Sequence, residues 1–255
     1  MLYAAKTHIG MVRQMNQDSY RVFKVDNRMV AVVADGMGGA AAGEIASQMA
    51  ADVVVQDVEA RLKAGTDPST AMREAIQLAN REIWSTSRSN VDYLGMGTTL
   101  VAALYDQEQV ILGHVGDSRA YLFHEGVLAQ VTRDHSLVAE LVRRGHLTED
   151  EALHHPQRNV VTRSLGTAEW SDPEIDVLAW NDGDMLLLCT DGLSNYVTSE
   201  EMTSYLAMLT NGEQPVTTER ADTVVEGLVK LTLDRGAPDN ITLILAVHRK
   251  EIGSR

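Results

Sequence analysis

The sequence predicts an α+β domain in which two mainly antiparallel sheets pack face to face, with helices covering their outer faces. Three observations lead there. Strand-like apolar runs outnumber helical ones and mostly follow one another through short turns, which favours antiparallel pairing. The helical patterns are long and amphipathic, so each has a face to bury on a sheet. No repeat, low-complexity stretch or long linker divides the 255 residues. A doubly wound order of alternating strands and helices does not fit.

Residues 1–34 read as a β-meander. Met1–Ile9, Ser19–Val25 and Met29–Ala34 have strand composition, and Asp26-Asn27 makes a turn. The third strand is expected to stop at Asp35-Gly36, before a loop holding Gly38, Gly39 and Gly43. Glu44–Lys63 then reads as a helix, with Ile45, Met49, Val53 and Ala46, Ala50, Val54, Val58 at helical spacing and Gly65 as its stop. Asp67 caps a second helix with Pro68 at its first position, and Ala71, Ala75, Leu78 and Ile83 face inward.

Four short strands follow: Gly97–Tyr105, Gln109–His114, Ser118–Phe123 and Val127–Val131. Residues 133–170 change character. Helical pieces at Ser136–Arg144 and Thr148–His154, the second opened by a Thr148/Glu151 capping box, alternate with the polar run HHPQRNVVTRSLG. This segment reads as a surface insertion of the kind that borders active sites. Glu174–Ala179 and Met185–Thr190 resume the strands, and Thr198–Glu201 is a second capping box, for a helix to about Leu209. After a loop at Asn211–Pro215, Thr218 is expected to cap a last helix with Ala221, Val224, Val225, Leu228 and Leu231 inward and Gly236 closing it. Ile241–Val247 is the final strand. The domain is expected to span 1–248, with 249–255 as a polar tail.

Lysine and arginine number 22 against 36 acidic residues, a net charge of −14. No basic patch is available to neutralise phosphates, so neither nucleic acid nor an anionic membrane is an expected partner. Cys189 is the one cysteine, which excludes a disulfide framework and a cysteine-based zinc site. No apolar run approaches the ~20 residues of a membrane span, and MLYAAKTHIG lacks the form of a signal peptide. A soluble, cytoplasmic monomer is expected, since no sustained heptad is present.

The chemistry points to carboxylates. Val30–Ala34 runs into Asp35-Gly36, and DMLLLCTD runs into Asp191-Gly192. Asp239 sits in GAPDN just before the last strand, and Asp117 in GHVGDSRAY between two strands. A single Asp-Gly is ordinarily a turn. Four aspartates at strand ends or turns, each beside glycine or asparagine, suit a bound cation better, because a buried carboxylate is costly without positive charge. Hard oxygen ligands select magnesium, manganese or calcium over zinc or copper. Paired ions would clamp a phosphate and acidify a water into a nucleophile. Arg13, with Asp18 nearby, offers a planar cation suited to phosphate oxygens.

Other phosphate chemistries fail. Cys189 is followed by TDGLSN rather than an arginine-closed phosphate loop, and Met37 stands where an aspartyl-nucleophile enzyme wants a second acid. GMGGAAAG has no following GK[ST], and neither GDSRA nor GLSNY completes a nucleophile elbow. Structural roles are expected for His114 and His135, and solvent exposure for His154 and His155.

Seven blocks, RQMNQDSY (13–20), VVADGMGG (32–39), GTTL (97–100), GHVGDSRAY (113–121), TRDHS (132–136), CTDGLSNYV (189–197) and DNITLI (239–244), resemble in order those of the metal-dependent protein phosphatases, the type 2C or PPM family. The likeness runs from about residue 3 to 247 and is greatest to compact bacterial members. It implies a four-layer α-β-β-α sandwich with a binuclear Mn2+ or Mg2+ site at one end. Asp35 would bridge both ions, Gly36 would offer its carbonyl to one, and Asp191 and Asp239 would complete the other. Asp117 would hold a third, weaker ion with Asp191, Asp18 would act through bound water, and Arg13 would grip the substrate phosphate. Residues 143–168 would form a flap shaping substrate access.

The implied activity is hydrolysis of phosphoserine and phosphothreonine in proteins by direct attack of a metal-activated water, with no phosphoenzyme. The implied partners are a cognate Ser/Thr kinase and its substrates. Ala40 stands where many bacterial relatives carry a histidine, a candidate general acid worth roughly 10²–10⁴-fold. Gln17 replaces a common glutamate. Two other readings stay open: a phosphoprotein-binding regulator with little turnover on the same fold, and a two-metal nuclease or nucleotide hydrolase, which the acidic surface discourages.

Overall fold

A computed structural model describes residues 1–39, 42–106, 108–210 and 215–249. One sheet contains β1 (Leu2–His8), β7 (Arg119–His124), β8 (Val127–Gln130), β10 (Met185–Cys189) and β11 (Ile241–Val247), in the order β1-β11-β10-β7-β8. The other contains β2 (Asp18–Val25), β3 (Arg28–Met37), β5 (Leu100–Tyr105), β6 (Gln109–Val115) and β9 (Glu174–Ala179) in the order β2-β3-β5-β6-β9, with β4 (Gly97–Thr98) paired to the end of β3. Every pairing is antiparallel.

Side-chain alternation along the central strands sorts residues into three apolar layers. On β3, Val30, Val32 and Ala34 face α1 (Ala42–Lys63) and α2 (Pro68–Ser89), while Met29, Ala31 and Val33 face the other sheet. On β11, Leu243 and Leu245 pack toward α6 (Ser199–Thr210) and α7 (Thr218–Asp234), while Ile244 and Ala246 enter the middle layer. Because both faces of these strands are covered, they read as unbroken apolar runs rather than alternating ones. The result is helices, sheet, sheet, helices.

Several sequence expectations need correction. The first 34 residues are not a meander: β1 pairs with β11, from Leu2↔Val247 to His8↔Ile241, and so lies in the sheet opposite β2 and β3. β3 does not stop at Asp35. It continues to Met37, because Asp35 pairs with Asp18 and Gly36 with Thr98. The strand expected over Gly97–Tyr105 is divided at Thr99 into β4 and β5, both of which pair with β3. The last helix is capped by Thr217, whose hydroxyl accepts from the Arg220 amide, and not by Thr218. Leu78 is only part-buried, with Ile76 and Ala79 sealed in its place, whereas Leu231, also part-buried, packs against the core beside Val229 and Thr232.

Within 133–170, α3 (Leu137–Arg143) and α4 (Glu149–Leu153) form, and α4 has both bonds of the Thr148/Glu151 capping box. Yet Leu165 is fully buried and bridges Thr98, so this segment re-enters the core before it ends. Ala40, most of the loop expected at Asn211–Pro215 and most of the tail expected at 249–255 lie outside the described residues. Among those described, no helix is long and apolar enough to cross a membrane.

Candidate active site

The ends of β3, β6 and β10 and the start of β11 meet at one end of the sandwich. A cleft of about 720 Å³ opens there, lined by Arg13, Asp35, Gly36, Asp117, Asp191 and Asp239. Thus six of the residues singled out from sequence share one cavity, and the seventh, Asp18, lies buried behind it as the register partner of Asp35. Asp191 opens the short α5 (Asp191–Ser194), while Asp117 follows Gly116 in the turn from β6 to β7.

Gathering these acids raises their proton affinity. Burial first, then the neighbouring Asp191 and Asp239, pushes Asp18 up to about 7. Burial and Asp191 likewise push Asp117 up to about 7. Asp35 is raised well above the ordinary carboxylate range by burial and by Asp18 and Asp191, and Asp191 is raised by burial and Asp239. One oxygen of Asp18 accepts from Thr190 Oγ1 at 2.9 Å, but its Oδ1, like Asp191 Oδ1, is buried with no partner.

The cation facing them is Arg13, whose Nη2 donates to Asp239 Oδ2 at 2.8 Å while about half its side chain stays open to solvent. One guanidinium does not balance this many acids. Buried, partnerless carboxylate oxygens converging from separate strands are the donor set of a hard divalent cation, and manganese or magnesium fits it.

Two supports were not legible in the sequence. The first is Asn240. Its Oδ1 accepts from the Gln17 amide at 2.8 Å, and its Nδ2 donates to the carbonyls of Ile9 at 2.8 Å and Met15 at 3.0 Å. One buried amide therefore pins the loop carrying Arg13 beside Asp239. Only its place directly after Asp239 hinted at this. The second is Thr99, whose hydroxyl accepts from the Asp35 amide at 3.0 Å and shares a 2.7 Å bond with Ser118. It ties Asp35 to the turn holding Asp117.

Close backbone approach explains two glycines. A Cβ on Gly36 would lie 2.0 Å from the Gly43 carbonyl oxygen, and one on Gly192 would lie 1.8 Å from that of Asn240. Gln17 donates to the Gly38 and Gly39 carbonyls at 3.3 and 3.2 Å, steadying the glycine loop. His114 and His135 are buried away from the cleft lining. Cys189 is buried too, with its thiol pushed up to about 12, which removes it as a nucleophile at neutral pH.

Comparison with known proteins agrees with this architecture. The family model described as Protein phosphatase 2C matches residues 7–230. The serine/threonine phosphatase stp of Listeria monocytogenes is 39% identical over 244 residues, covering 94% of this chain and 93% of its own. The crystal structure of the Mycobacterium tuberculosis serine/threonine phosphatase PstP/Ppp superposes with a TM-score of 0.86 at 34% identity, covering 98% of this chain and 99% of that one. The catalytic domain of PstP in complex with two manganese ions gives a TM-score of 0.82 at 32% identity, over 98% of each chain. A matched fold, a matched sequence over nearly all its length and a carboxylate-lined cleft at one end of the sandwich place this chain in the protein phosphatase 2C family.

Proposed function

We propose that this chain is a manganese- or magnesium-dependent phosphatase that hydrolyses phosphoserine and phosphothreonine in proteins. The observation that carries the reading is the convergence of Asp35, Asp117, Asp191 and Asp239 on one cleft with Arg13 at its edge. Asp35, the Gly36 carbonyl, Asp191 and Asp239 would hold two ions, Asp117 would hold a third with Asp191, and Asp18 would act from behind. When bound, the ions neutralise the acids, draw in the phosphate and lower the pKa of water at the site.

The rest is the work of the protein. Arg13 orients the phosphate, sharing its guanidinium between substrate and Asp239. Thr99 fixes the height of Asp35 on its strand, and Asn240 keeps Arg13 over the cleft. Asn159 and Val161, from the 143–168 flap, also line the cleft and shape what enters. Ala40 has no proton to give, so the leaving oxygen takes its proton from water in the cleft. In the cell we place the enzyme in the cytoplasm as a monomer opposing a Ser/Thr kinase.

The test is phosphopeptide hydrolysis with added manganese, comparing wild type with Asp191→Ala. Release by wild type and loss of about 10³-fold or more in the variant is expected, since positioned metal ions supply several kcal/mol of transition-state stabilisation. Equal release from both proteins overturns the assignment. Tight phosphopeptide binding without release by wild type would favour the regulator instead.

A further inference from the structure

Outside the cleft, His114, His135 and Glu174 bring their ligand atoms within 4.8 Å of one another. The two imidazoles stack, with centroids 4.9 Å apart and planes 12° from parallel. A cation already occupies this group: Arg163 Nη1 lies 2.9 Å from His135 Nε2 and 3.3 Å from Glu174 Oε1, and its Nη2 donates to the Asp172 carbonyl. The guanidinium stands where a metal ion would have to sit, so the group is a latch rather than a second metal site.

The latch aims one residue at the cleft. The Gly116 amide donates to His135 Nδ1 at 3.0 Å, which makes Nδ1 the bare nitrogen and puts the proton on Nε2. That proton goes to Glu174 Oε1 at 3.0 Å. The His135 amide in turn donates to the Gly116 carbonyl at 3.0 Å. Both polar groups of Gly116 are therefore gripped by His135, and Asp117 is the next residue. The turn has little freedom to do otherwise, because Gly116 has a φ of +110° and a Cβ there would lie 2.6 Å from Thr99 Cβ. On its far side the His135 carbonyl accepts from the Thr162 amide at 2.8 Å, and Ser136 bridges Val161. His135 thus joins the Asp117 turn to the returning limb of the 143–168 segment, and Arg163 of that limb donates to Glu174 Oε1, the carboxylate that takes the His135 proton.

We propose that His135, aimed by Glu174, which Arg163 holds in place, is a positioning residue for Asp117: it couples the flap to the weakest ion, so loosening the latch weakens divalent binding there and spares the two ions assigned to Asp35, Gly36, Asp191 and Asp239. This rests on the proposed assignment of Asp117 as an ion ligand. Loss of a partner that orients a metal ligand weakens metal affinity by roughly 10–100-fold, and that is the effect expected here.

The experiment is a calorimetric Mn2+ titration of the full chain, for wild type, Asp117→Ala, Arg163→Gln, His135→Leu and His135→Asn. Asp117→Ala should delete the weakest site. Arg163→Gln and His135→Leu should weaken that site by roughly tenfold or more and leave the tighter sites unchanged. His135→Asn, whose amide oxygen can still accept from Gly116, should recover much of the loss. As a second reading, the latch variants should need more Mn2+ for half-maximal phosphopeptide turnover while keeping kcat at saturating metal. An unchanged weak site in both latch variants overturns the coupling, and so does weakening of all sites together, which would mark the latch as general scaffolding. If Asp117→Ala leaves the titration unaltered, the proposal falls with the Asp117 assignment, while the two-ion reading stands. If wild type binds no manganese, the proposed function itself falls.

Discussion

Removing divalent ions should turn the cleft into a pH-dependent weak point. Burial and neighbouring carboxylates lift Asp18 and Asp117 from 3.8 to about 7. A carboxyl whose folded pKa lies above its unfolded one holds its proton longer in the native state. The stability it contributes is complete below the unfolded value, falls as pH rises, and is gone once pH passes the folded value near 7. At about 1.36 kcal/mol per pKa unit, the rise from 3.8 to about 7 sets a ceiling of about 4 kcal/mol for each group. The cleft is open to water, so we take about 2–4 kcal/mol for the pair together. A domain of this size shifts by about 2–4 °C in Tm per kcal/mol, which gives a chelated protein melting about 5–15 °C lower at pH 7.5 than at pH 5. Differential scanning calorimetry in EDTA and in manganese measures this directly. Manganese should close the gap. Asp18→Asn should melt above wild type in EDTA at pH 7.5 and match it near pH 5. A chelated wild-type Tm that is flat or rising over this range, with Asp18→Asn no more stable, would refute the claim that uncompensated charge strains the site.

Three further outcomes follow from the same geometry. Arg13→Lys keeps a charge but loses the planar fork, so KM for phosphopeptide should rise about tenfold with kcat changed far less, in steady-state assays at saturating manganese. Asn240→Ala leaves the Gln17 amide and the Ile9 and Met15 carbonyls without their partner; chemical denaturation should show a loss of about 2–4 kcal/mol, with KM raised because the Arg13 loop is released. Cys189, buried and with its thiol pushed up to about 12, should resist a thiol reagent in the native protein at pH 8 and react on unfolding.

The elements were largely legible because their signals are local. Pro68 after Asp67, the Thr148/Glu151 box and the continuous apolar runs each declare themselves within a few residues. Pairing partners did not, because β1 meets a strand some 240 positions away and its own periodicity is indifferent to which sheet receives it. Asp35-Gly36 reads as a turn in isolation, yet Asp18 and Thr98 supply partners that keep the backbone extended. The acids of the cleft could be named, since a carboxylate ending an apolar run is conspicuous. Asn240 and Thr99 could not, because a small polar side chain shows its purpose only when the backbone it bonds has arrived. Leu165 was hidden by its polar surroundings, although it seats the end of the 143–168 segment in the core.

The carboxylates are divided between the two sheets. Asp18 and Asp35 lie on one, Asp191 and Asp239 flank strands of the other, and Asp117 sits where the chain crosses between them. Ions held in the cleft would then be rivets across a seam. A slip of one strand position, ~3.3 Å, would pull half the donors out of reach. Neither layer alone carries a full set, so activity would serve as a readout that both halves have docked in register. A growing chain would stay silent until Asp239 had joined the other acids.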